Sequence, residues 1–385
     1  MNPRERVMLA LNHKEPDRIA IDLGGSICSS IHKKSYLELK KYLGMEVEAI
    51  KMADYVQQLP YLDEAFLERF GADFRMVQLP AATAPDLEIF DDGDYWAFID
   101  RWGSKLHMPK ERGLYFDWVE FPIKETSMTA LDQYQWPQPD PPELITQLRD
   151  QAKYLYENTD YALVGSAVIG GGLFEQPART MGLENFLIAL VSDPKFTDRF
   201  MEQITDIYIE SCTNYLDQVG KYLHVFTYWD DVNTQTGWMI SPEIYRKMIK
   251  PKQRRLVEAI RKKTDAKLYY HGCGAIFELI PELIDIGFDI INPVQVSATG
   301  MDTQRLKKTY GNDIVFWGGG VDTQKVLPFG KPQEVADEVK RRIDDLAPAG
   351  GFVFAAVHNI QAGVPPENIV TAFETALEYG QYESG

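Results

Sequence analysis

The chain has 385 residues, of which 45% are hydrophobic and 25% charged, as is typical of a globular protein with a large core. Its net charge of −17 argues against nucleic acid as a partner, because phosphate binding needs a basic surface. No run approaches about 18 consecutive apolar residues, and the N-terminus MNPRERVMLALNHKEPDR has no apolar h-region, so neither membrane insertion nor a signal peptide is expected. Three widely separated cysteines do not suggest a disulfide framework, and a cytoplasmic location is therefore expected.

The N-terminal third is predicted to begin with helices. Asn2 as N-cap, Pro3 at the first helical position and Glu5 three residues after the cap predict a helix over 3–12. Two further helical patterns follow before residue 72. The runs RIAIDL and ADFRMV are typical of strands.

Residues 86–125 differ in kind from the rest of the chain. YWAFIDRWGSKLHM and GLYFDWVEFPI alternate like strands around PKERG, which predicts a β-hairpin insertion. Its aromatic side chains form either a hairpin core or a hydrophobic lid over a binding site. These are Trp96, Trp102, Tyr115, Phe116 and Trp118.

From about residue 160 strands and helices alternate. Strand-like runs occur at YALVGSAV, YLHVFTYW, AKLYYH, DIINPV, DIVFWGG and GFVFAAVH. Helical patterns fall at 180–219, 242–263, 276–286, 303–310, 332–346 and 366–380. With the two N-terminal runs this predicts an α/β fold, a (β/α)8 TIM barrel in one domain over 1–385, with an N-terminal helical extension. A doubly wound open sheet is the alternative, although no strand–GxGxxG–helix unit supports a dinucleotide version.

Polar side chains follow several of these strands, and barrel active sites are built from such strand ends. The candidates are Asp230, Asp231, Asn233, His271, Cys273, Asn292, Gln295, His358, Asn359 and Gln361. His271 and His358 would point into one mouth with Cys273. Each candidate has a structural interpretation too: an aspartate at such a junction is often an N-cap, and a His-x-Cys pair is often a buried thiol with a satisfied histidine.

Five segments carry a resemblance to a known family: NPRERVMLALNHKEPDRIAIDLGG, MISPEIYRKMIKP, HGCGAIFELIPELIDIGFDIINPVQ, GGGVDTQKVL and FVFAAVHNIQAGVPPENI. They resemble the uroporphyrinogen decarboxylase superfamily, and more closely its corrinoid-dependent methyltransferase-like branch. The resemblance covers most of the chain, is densest from 225 to 380, and implies a TIM barrel.

The N-terminal region departs from the decarboxylases. Those enzymes grip the carboxylates of a tetrapyrrole with an arginine-rich segment, whereas no arginine lies between Arg18 and Arg69 here. The segment KMADYVQQL is similar to the one that carries the central aspartate of the decarboxylases, which implies Asp54 at the pocket. Tetrapyrrole decarboxylation is therefore disfavoured.

The methyltransferase branch implies a zinc site. Its thiol methyltransferases bind zinc through His-x-Cys and a distant Cys, and His271 and Cys273 match the first two positions. The third falls in AAVHNIQAGVPPEN, where His358 is the nearest residue able to ligate. Decarboxylases keep a histidine in that stretch as well, so His358 has an interpretation without metal. Replacing a thiolate by an imidazole makes zinc a better Lewis acid, which favours demethylation.

The resulting hypothesis is a methyltransferase that demethylates a small methylated donor, most simply an aryl methyl ether, and passes the methyl group to the corrinoid of a partner protein. Asp230 is the predicted hydrogen-bond partner of the leaving group, while Gln295 or Asn292 orients it. Strand-end position suggests substrate binding by Asp231, Asn233, Asn359 and Gln361. The alternatives are a metal-free decarboxylase that uses Asp54 or Asp230, and a non-enzymatic ligand-binding barrel.

Overall fold

Eight parallel strands form the centre of the computed structural model, which describes residues 1–47, 49–78, 87–166, 169 and 171–382. Numbered along the chain, the strands of the described residues, both inside and outside the barrel, are β1 (Ala20–Ile21), β2 (Met52–Asp54), β3 (Leu59–Pro60), β4 (Phe74–Val77), β5 (Phe90–Asp92), β6 (Tyr95–Ile99), β7 (Lys105–Pro109), β8 (Asp117–Glu120), β9 (Ala162–Ser166), β10 (Val225–Trp229), β11 (Lys267–His271), β12 (Ile290–Asn292), β13 (Val315–Trp317) and β14 (Phe352–Phe354). The barrel runs β1-β14-β13-β12-β11-β10-β9-β4, with every pairing in it parallel. The predicted TIM barrel is confirmed.

Helices cover the outside of the barrel. They are α1 (Pro3–Ala10), α2 (Lys33–Tyr42), α3 (Glu64–Arg69), α4 (Met128–Gln133), α5 (Pro142–Asn158), α6 (Glu175–Met181), α7 (Leu183–Ser192), α8 (Pro194–Val219), α9 (Pro242–Ile244), α10 (Lys250–Arg261), α11 (Ile280–Ile286), α12 (Thr303–Tyr310), α13 (Val326–Phe329), α14 (Pro332–Leu346) and α15 (Pro366–Tyr379). A π-helical turn, Tyr245–Ile249, joins α9 to α10. No helix in the described part of the chain is long and apolar enough to span a bilayer.

Inward-facing side chains fill the barrel. Val7, Ala10 and Leu11, in and just after α1, belong to the same buried cluster as the strand residues that point inward, so α1 closes the N-terminal end. The predicted cap of α1 is confirmed, because Asn2 accepts from the N–H of Glu5 and the Glu5 carboxylate accepts from the N–H of Asn2.

The two edge strands, β1 and β4, meet through an aspartate. Asp73 donates its N–H to the carbonyl of Ile21, and its Oδ2 accepts from the N–H of Ile21, both at 2.8 Å. The same buried carboxylate pairs with Arg6 at 2.7 Å and Arg18 at 2.9 Å. Three side chains therefore hold the β1–β4 seam, here called the Asp73 clasp.

Two predicted elements are wrong in detail. The single helix over 180–219 is three helices, because the chain breaks at Gly182, with φ +86°, and again at Asp193, which caps α8. The predicted hairpin is a four-stranded antiparallel sheet, β5–β8. Residue 86 of the predicted insertion and residues 167–168 of the YALVGSAV run lie outside the described residues.

The β5–β8 sheet lies over the mouth of the barrel. Its core is formed by Phe98, Leu106 and Phe116. The hydroxyl of Ser104 donates to the carbonyl of Arg179 in α6 at 2.7 Å. The insertion thus lies against a helix that follows strand β9, at the carboxyl end of the barrel.

Candidate metal centre and its two cavities

Three potential metal ligands converge at the carboxyl ends of β11 and β14. His271 ends β11, Cys273 follows two residues later, and His358 lies four residues beyond β14. One ligand atom from each lies within 4.8 Å of the other two. The Cys273 Sγ lies 3.6 Å from His271 Nε2. Tetrahedral zinc, with Zn–S of about 2.3 Å and Zn–N of about 2.0–2.1 Å, places neighbouring ligand atoms about 3.6 Å apart. The donor set and this spacing fit zinc.

Asn292 fixes the orientation of His271. The Asn292 Nδ2 donates to the carbonyl of Trp317 at 3.0 Å, so its Oδ1 must be the acceptor in the 2.5 Å contact with His271 Nδ1. His271 therefore carries a proton on Nδ1, so Nε2, on the side that faces Cys273, is the nitrogen that it would offer to a metal in place of a proton. This is the arrangement that typically surrounds a metal-bound histidine.

A left-handed backbone turns His358 into the site. Val353 and Ala355 face the barrel interior, so simple alternation would point residue 358 outward. The φ of His358 is +63°, a conformation that is uncommon for a residue other than glycine. Burial, with a smaller contribution from His271, lowers the pKa of His358 to about 3, so the ring is neutral.

The present hydrogen bond of His358 limits how it can bind a metal. Its Nδ1 accepts from the N–H of Asn359 at 2.7 Å, so the neutral ring carries its proton on Nε2. A metal bound at Nε2 would need the other tautomer and the loss of this contact. His271 and Cys273 thus already direct their ligand atoms toward each other, whereas His358 would have to change its tautomer and release the N–H of Asn359.

A second thiol, that of Cys28, lies beside His271 in a position the sequence interpretation missed. Burial disfavours the imidazolium, but the thiols of Cys28 and Cys273 raise the pKa of His271 well above its usual value. Burial raises the pKa of the Cys273 thiol, opposed by His271. The available signal was that one of only three cysteines closely follows the first barrel strand.

An inner cavity of about 300 Å³ lies between the barrel mouth and the insertion. Its apolar wall is formed mainly by Val77, Phe98, Trp102, Leu106, Trp118, Leu148 and Trp229. Its charged groups are Asp54, Asp100, Arg101, Glu175, Arg179 and Asp231, and both His271 and His358 reach it. The volume is at the low end of the range of about 300–1,000 Å³ for ligand cavities.

The two arginines of this cavity are already paired. Arg179 contacts Glu175 at 2.9 Å and stacks over the Trp118 ring at 4.5 Å, while Arg101 contacts the buried Asp140 at 2.7 Å. Burial raises the pKa values of three cavity acids, and Arg179 opposes the increase. These acids are Asp54, Asp100 and Glu175.

An outer cavity of about 320 Å³ lies on the other side of the triad. It is lined by Asn233, Thr234, Gln235, Cys273, Gly274, Gln295, Thr323, Gln324, Val357, His358, Asn359 and Gln361. His271 reaches the inner cavity, Cys273 the outer one, and His358 both. The candidate metal centre therefore stands in the wall between two cavities.

Asp230 and Asp231 point to opposite sides of β10. Trp229 and Asp231 line the inner cavity, whereas Asp230 is fully buried outside the barrel interior. Its carboxylate accepts from the N–H groups of Phe174 and Glu175 at 3.0–3.1 Å, so it caps α6, and it also accepts from Tyr228. Burial, and then Glu175, raise the pKa of Asp230 to about 7.

The other predicted site residues mostly hold the loops of the mouth. Asp231 Oδ1 accepts from the N–H of Cys273 at 2.7 Å, and Gln295 Oε1 accepts from the N–H of Gly274 at 2.6 Å. Asn359 Oδ1 accepts from the N–H of Ser30 at 2.6 Å. Gln361 Nε2 donates to the carbonyl of Asn359 at 2.8 Å, and Asn233 Nδ2 donates to the carbonyl of Ala275 at 3.0 Å.

Comparison with known proteins identifies the family. The family model described as Uroporphyrinogen decarboxylase (URO-D) matches residues 100–379, so the chain belongs to the uroporphyrinogen decarboxylase family, as the resemblance predicted. The uroporphyrinogen decarboxylase of Geobacter metallireducens is 22% identical over 283 residues, which cover 70% of this chain and 76% of that protein. The uroporphyrinogen decarboxylase of Syntrophotalea carbinolica is 27% identical over 180 residues, 46% of each chain.

A solved structure extends the likeness along the chain. A methyltransferase from Methanosarcina mazei superimposes with a TM-score of 0.66 over 98% of this chain and 99% of its own, at 14% identity. At that identity the likeness shows a shared fold.

Proposed function

We propose that this member of the uroporphyrinogen decarboxylase family is a methyltransferase that demethylates a small aryl methyl ether and transfers the methyl group to the Co(I) corrinoid of a partner protein. The observation that carries the proposal is the His271, Cys273 and His358 triad in the wall between two cavities. One cavity would hold the methyl donor and the other would face the acceptor. The methyltransferase name of the Methanosarcina mazei neighbour supports the same class of reaction.

The reaction breaks the bond between the ether oxygen and its methyl carbon. Co(I) would donate an electron pair to the methyl carbon to form the new Co–C bond, and the aryl oxygen would depart as phenolate with the pair of the broken C–O bond. Zinc held by the triad would act as a Lewis acid toward that oxygen. The conjugate acid of a phenolate has a pKa of about 10, so a proton donor in the cavity would help it leave.

Glu175 is the proposed proton donor. It lines the inner cavity, and burial raises its pKa, so it holds a proton at a higher pH than an exposed glutamate. Asp230, the group predicted from the sequence, binds the N–H of Glu175 and would position it. The raised pKa of Asp54 makes it the second acid of this cavity, available to a substrate hydroxyl.

The walls of the inner cavity favour an uncharged aromatic donor. Three tryptophans provide flat apolar contact. A carboxylate on the donor would meet several acidic side chains, and the two arginines there are already paired. We therefore expect methoxyphenols to be better donors than methoxybenzoates.

Decarboxylation is the second candidate, because the similar curated proteins are named uroporphyrinogen decarboxylases. That substrate carries eight carboxylates, which need basic partners. The paired arginines, the cavity acids and the small inner volume all weigh against it.

The test is a demethylation assay with zinc-loaded protein and a free Co(I) corrinoid, followed by the loss of Co(I) absorbance. We expect 3-methoxyphenol to be demethylated and 3-methoxybenzoate to react at least about tenfold more slowly, and Cys273→Ser to abolish turnover. Glu175→Gln should lower kcat by about 10²–10⁴-fold, the usual contribution of a general acid. Zinc-loaded protein that demethylates no aryl ether, or that decarboxylates uroporphyrinogen, would overturn the proposal.

A further inference from the structure

The outer cavity differs from the inner one in its chemistry. Its polar lining, as far as the described residues show, consists of amides and hydroxyls together with the candidate metal ligands His358 and Cys273. The inner cavity is lined by six acidic or basic side chains besides its histidines. An uncharged lining in a protein of net charge −17 is suited to a ligand surface that is polar but not ionised.

One acceptor in the outer cavity lacks a partner. Asn233 is 4% exposed, and because its Nδ2 donates to the carbonyl of Ala275, its amide orientation is fixed. Its Oδ1 is buried without a hydrogen bond to any described residue. A buried acceptor without a partner costs stability, and an incoming N–H or O–H group would satisfy it. A carboxylate or phosphate has only acceptors to offer and could not.

Two glutamine side chains that line the outer cavity each use one polar atom of the amide in a hydrogen bond and leave the other available to a ligand. Gln295 uses Oε1 to accept from Gly274, which leaves its Nε2 as a donor. Gln361 uses Nε2 to donate to Asn359, which leaves its Oε1 as an acceptor. Donors and acceptors side by side match a primary amide, since this group has two N–H donors and one carbonyl acceptor.

We propose that the outer cavity binds the primary amide side arms on the rim of a corrin ring. This inference rests on the proposed function and names the feature by which the acceptor is recognised. Cys273 and His358 line this cavity, so a ring held there by its rim would lie beside the triad. A ring whose rim carries carboxylates in place of amides would meet unpaired acceptors and no cation.

The test compares two free corrins that differ in these arms. Dicyanocobinamide carries amides, whereas dicyanocobyrinic acid carries carboxylates on the same ring. Binding to the zinc-loaded protein is followed by quenching of tryptophan fluorescence, without a methyl donor. We expect cobinamide to bind at least about tenfold more tightly. The proposal is overturned if cobinamide does not bind more tightly than cobyrinic acid.

Two variants locate the binding. Asn233→Ala removes the free acceptor and should weaken cobinamide binding about 3- to 10-fold, the effect of one hydrogen bond. Gln324→Arg adds a cation to the cavity and should tighten cobyrinic acid binding several-fold. Asn158→Ala, on the exposed face of α5, removes a similar amide contact far from the mouth and should change neither affinity. An unchanged cobinamide affinity in folded, zinc-loaded Asn233→Ala would also overturn the proposal.

The two proposals fail separately. Selective binding of cobinamide without turnover of any aryl ether would support amide recognition and overturn the demethylation. Demethylation of an aryl ether together with equal affinity for both corrins would support the demethylation and overturn amide recognition.

Discussion

The contact between Asn292 and His271 can be tested by Asn292→Leu. Leucine has the same branched shape and the same number of heavy atoms, so the change removes hydrogen bonds and leaves no cavity. It removes the acceptor for His271 Nδ1–H, which lies 2.5 Å from Asn292 Oδ1, and the donor to the carbonyl of Trp317. With no partner on Nδ1, either tautomer of His271 becomes accessible.

The magnitude follows from the burial of these groups. Asn292 is fully buried and His271 is 6% exposed, so water cannot replace the lost acceptor freely. An orphaned buried donor costs about 1–3 kcal/mol. Loss of a group that orients a metal ligand typically lowers metal affinity about 10- to 100-fold. We therefore expect zinc to bind Asn292→Leu about 10- to 100-fold more weakly, while Asn292→Asp, which keeps the acceptor, stays closer to wild type.

The assay is a zinc competition titration against a chromophoric chelator, with urea unfolding of the metal-free proteins as a companion measurement. Asn368→Leu is the matched control. Asn368 is 1% exposed and donates to the carbonyls of Leu327 and Gly330, far from the triad. Its loss should lower stability without changing zinc affinity. The interpretation of Asn292 is refuted if Asn292→Leu binds zinc within twofold of wild type.

Three further predictions concern stability and are all measurable by urea unfolding. A Cβ at Gly172 would lie 2.1 Å from the Asp230 carboxylate, so Gly172→Ala should cost roughly 1–3 kcal/mol; a neutral effect would show that this contact relaxes freely. Burial, and then a nearby arginine, lower the pKa of His224 to about 4, and its Nδ1 accepts from the N–H of Leu163 at 2.9 Å. The unfolded chain therefore binds a proton that the folded chain does not, so stability is complete above pH 6.5 and falls by up to about 3 kcal/mol as the pH drops toward 4. His224→Gln should flatten that part of the pH profile, and an unchanged slope would contradict the assignment. Asp73→Asn leaves two arginines of the Asp73 clasp incompletely paired and should cost roughly 3–5 kcal/mol; a loss below 1 kcal/mol would contradict a structural role.

The barrel could be predicted from the sequence because its βα alternation is regular. All eight strand runs became barrel strands. Grouping His271 with Cys273 followed from the same logic, since the two alternate inward at one strand end. The position of His358 after the last strand predicts that it lies at the same end of the barrel as His271 and Cys273. Only its left-handed backbone conformation explains how its side chain turns inward. A sequence pattern does not display such a φ angle.

The inner cavity was not predictable to the same extent. Glu175 and Arg179 lie on α6, a seven-residue helix that begins before the helix predicted over 180–219. Their spacing of four residues was the available signal, because it places opposite charges on one helix face. The alternation along β10 could have separated Asp231 from Asp230, since Trp229 and Asp231 share a side of the strand.

The Asp73 clasp also bears on the order in which the barrel can assemble. Its three side chains lie within the first 73 residues, so the β1–β4 joint depends on local sequence. The β1–β14 joint pairs Ala20 with Val353, and such distant contacts form late and slowly. His358 lies just past β14, so a metal that bridges it to His271 would fasten the last strand to the middle of the sheet. Metal loading should then slow unfolding at that final joint, where the two ends of the chain meet.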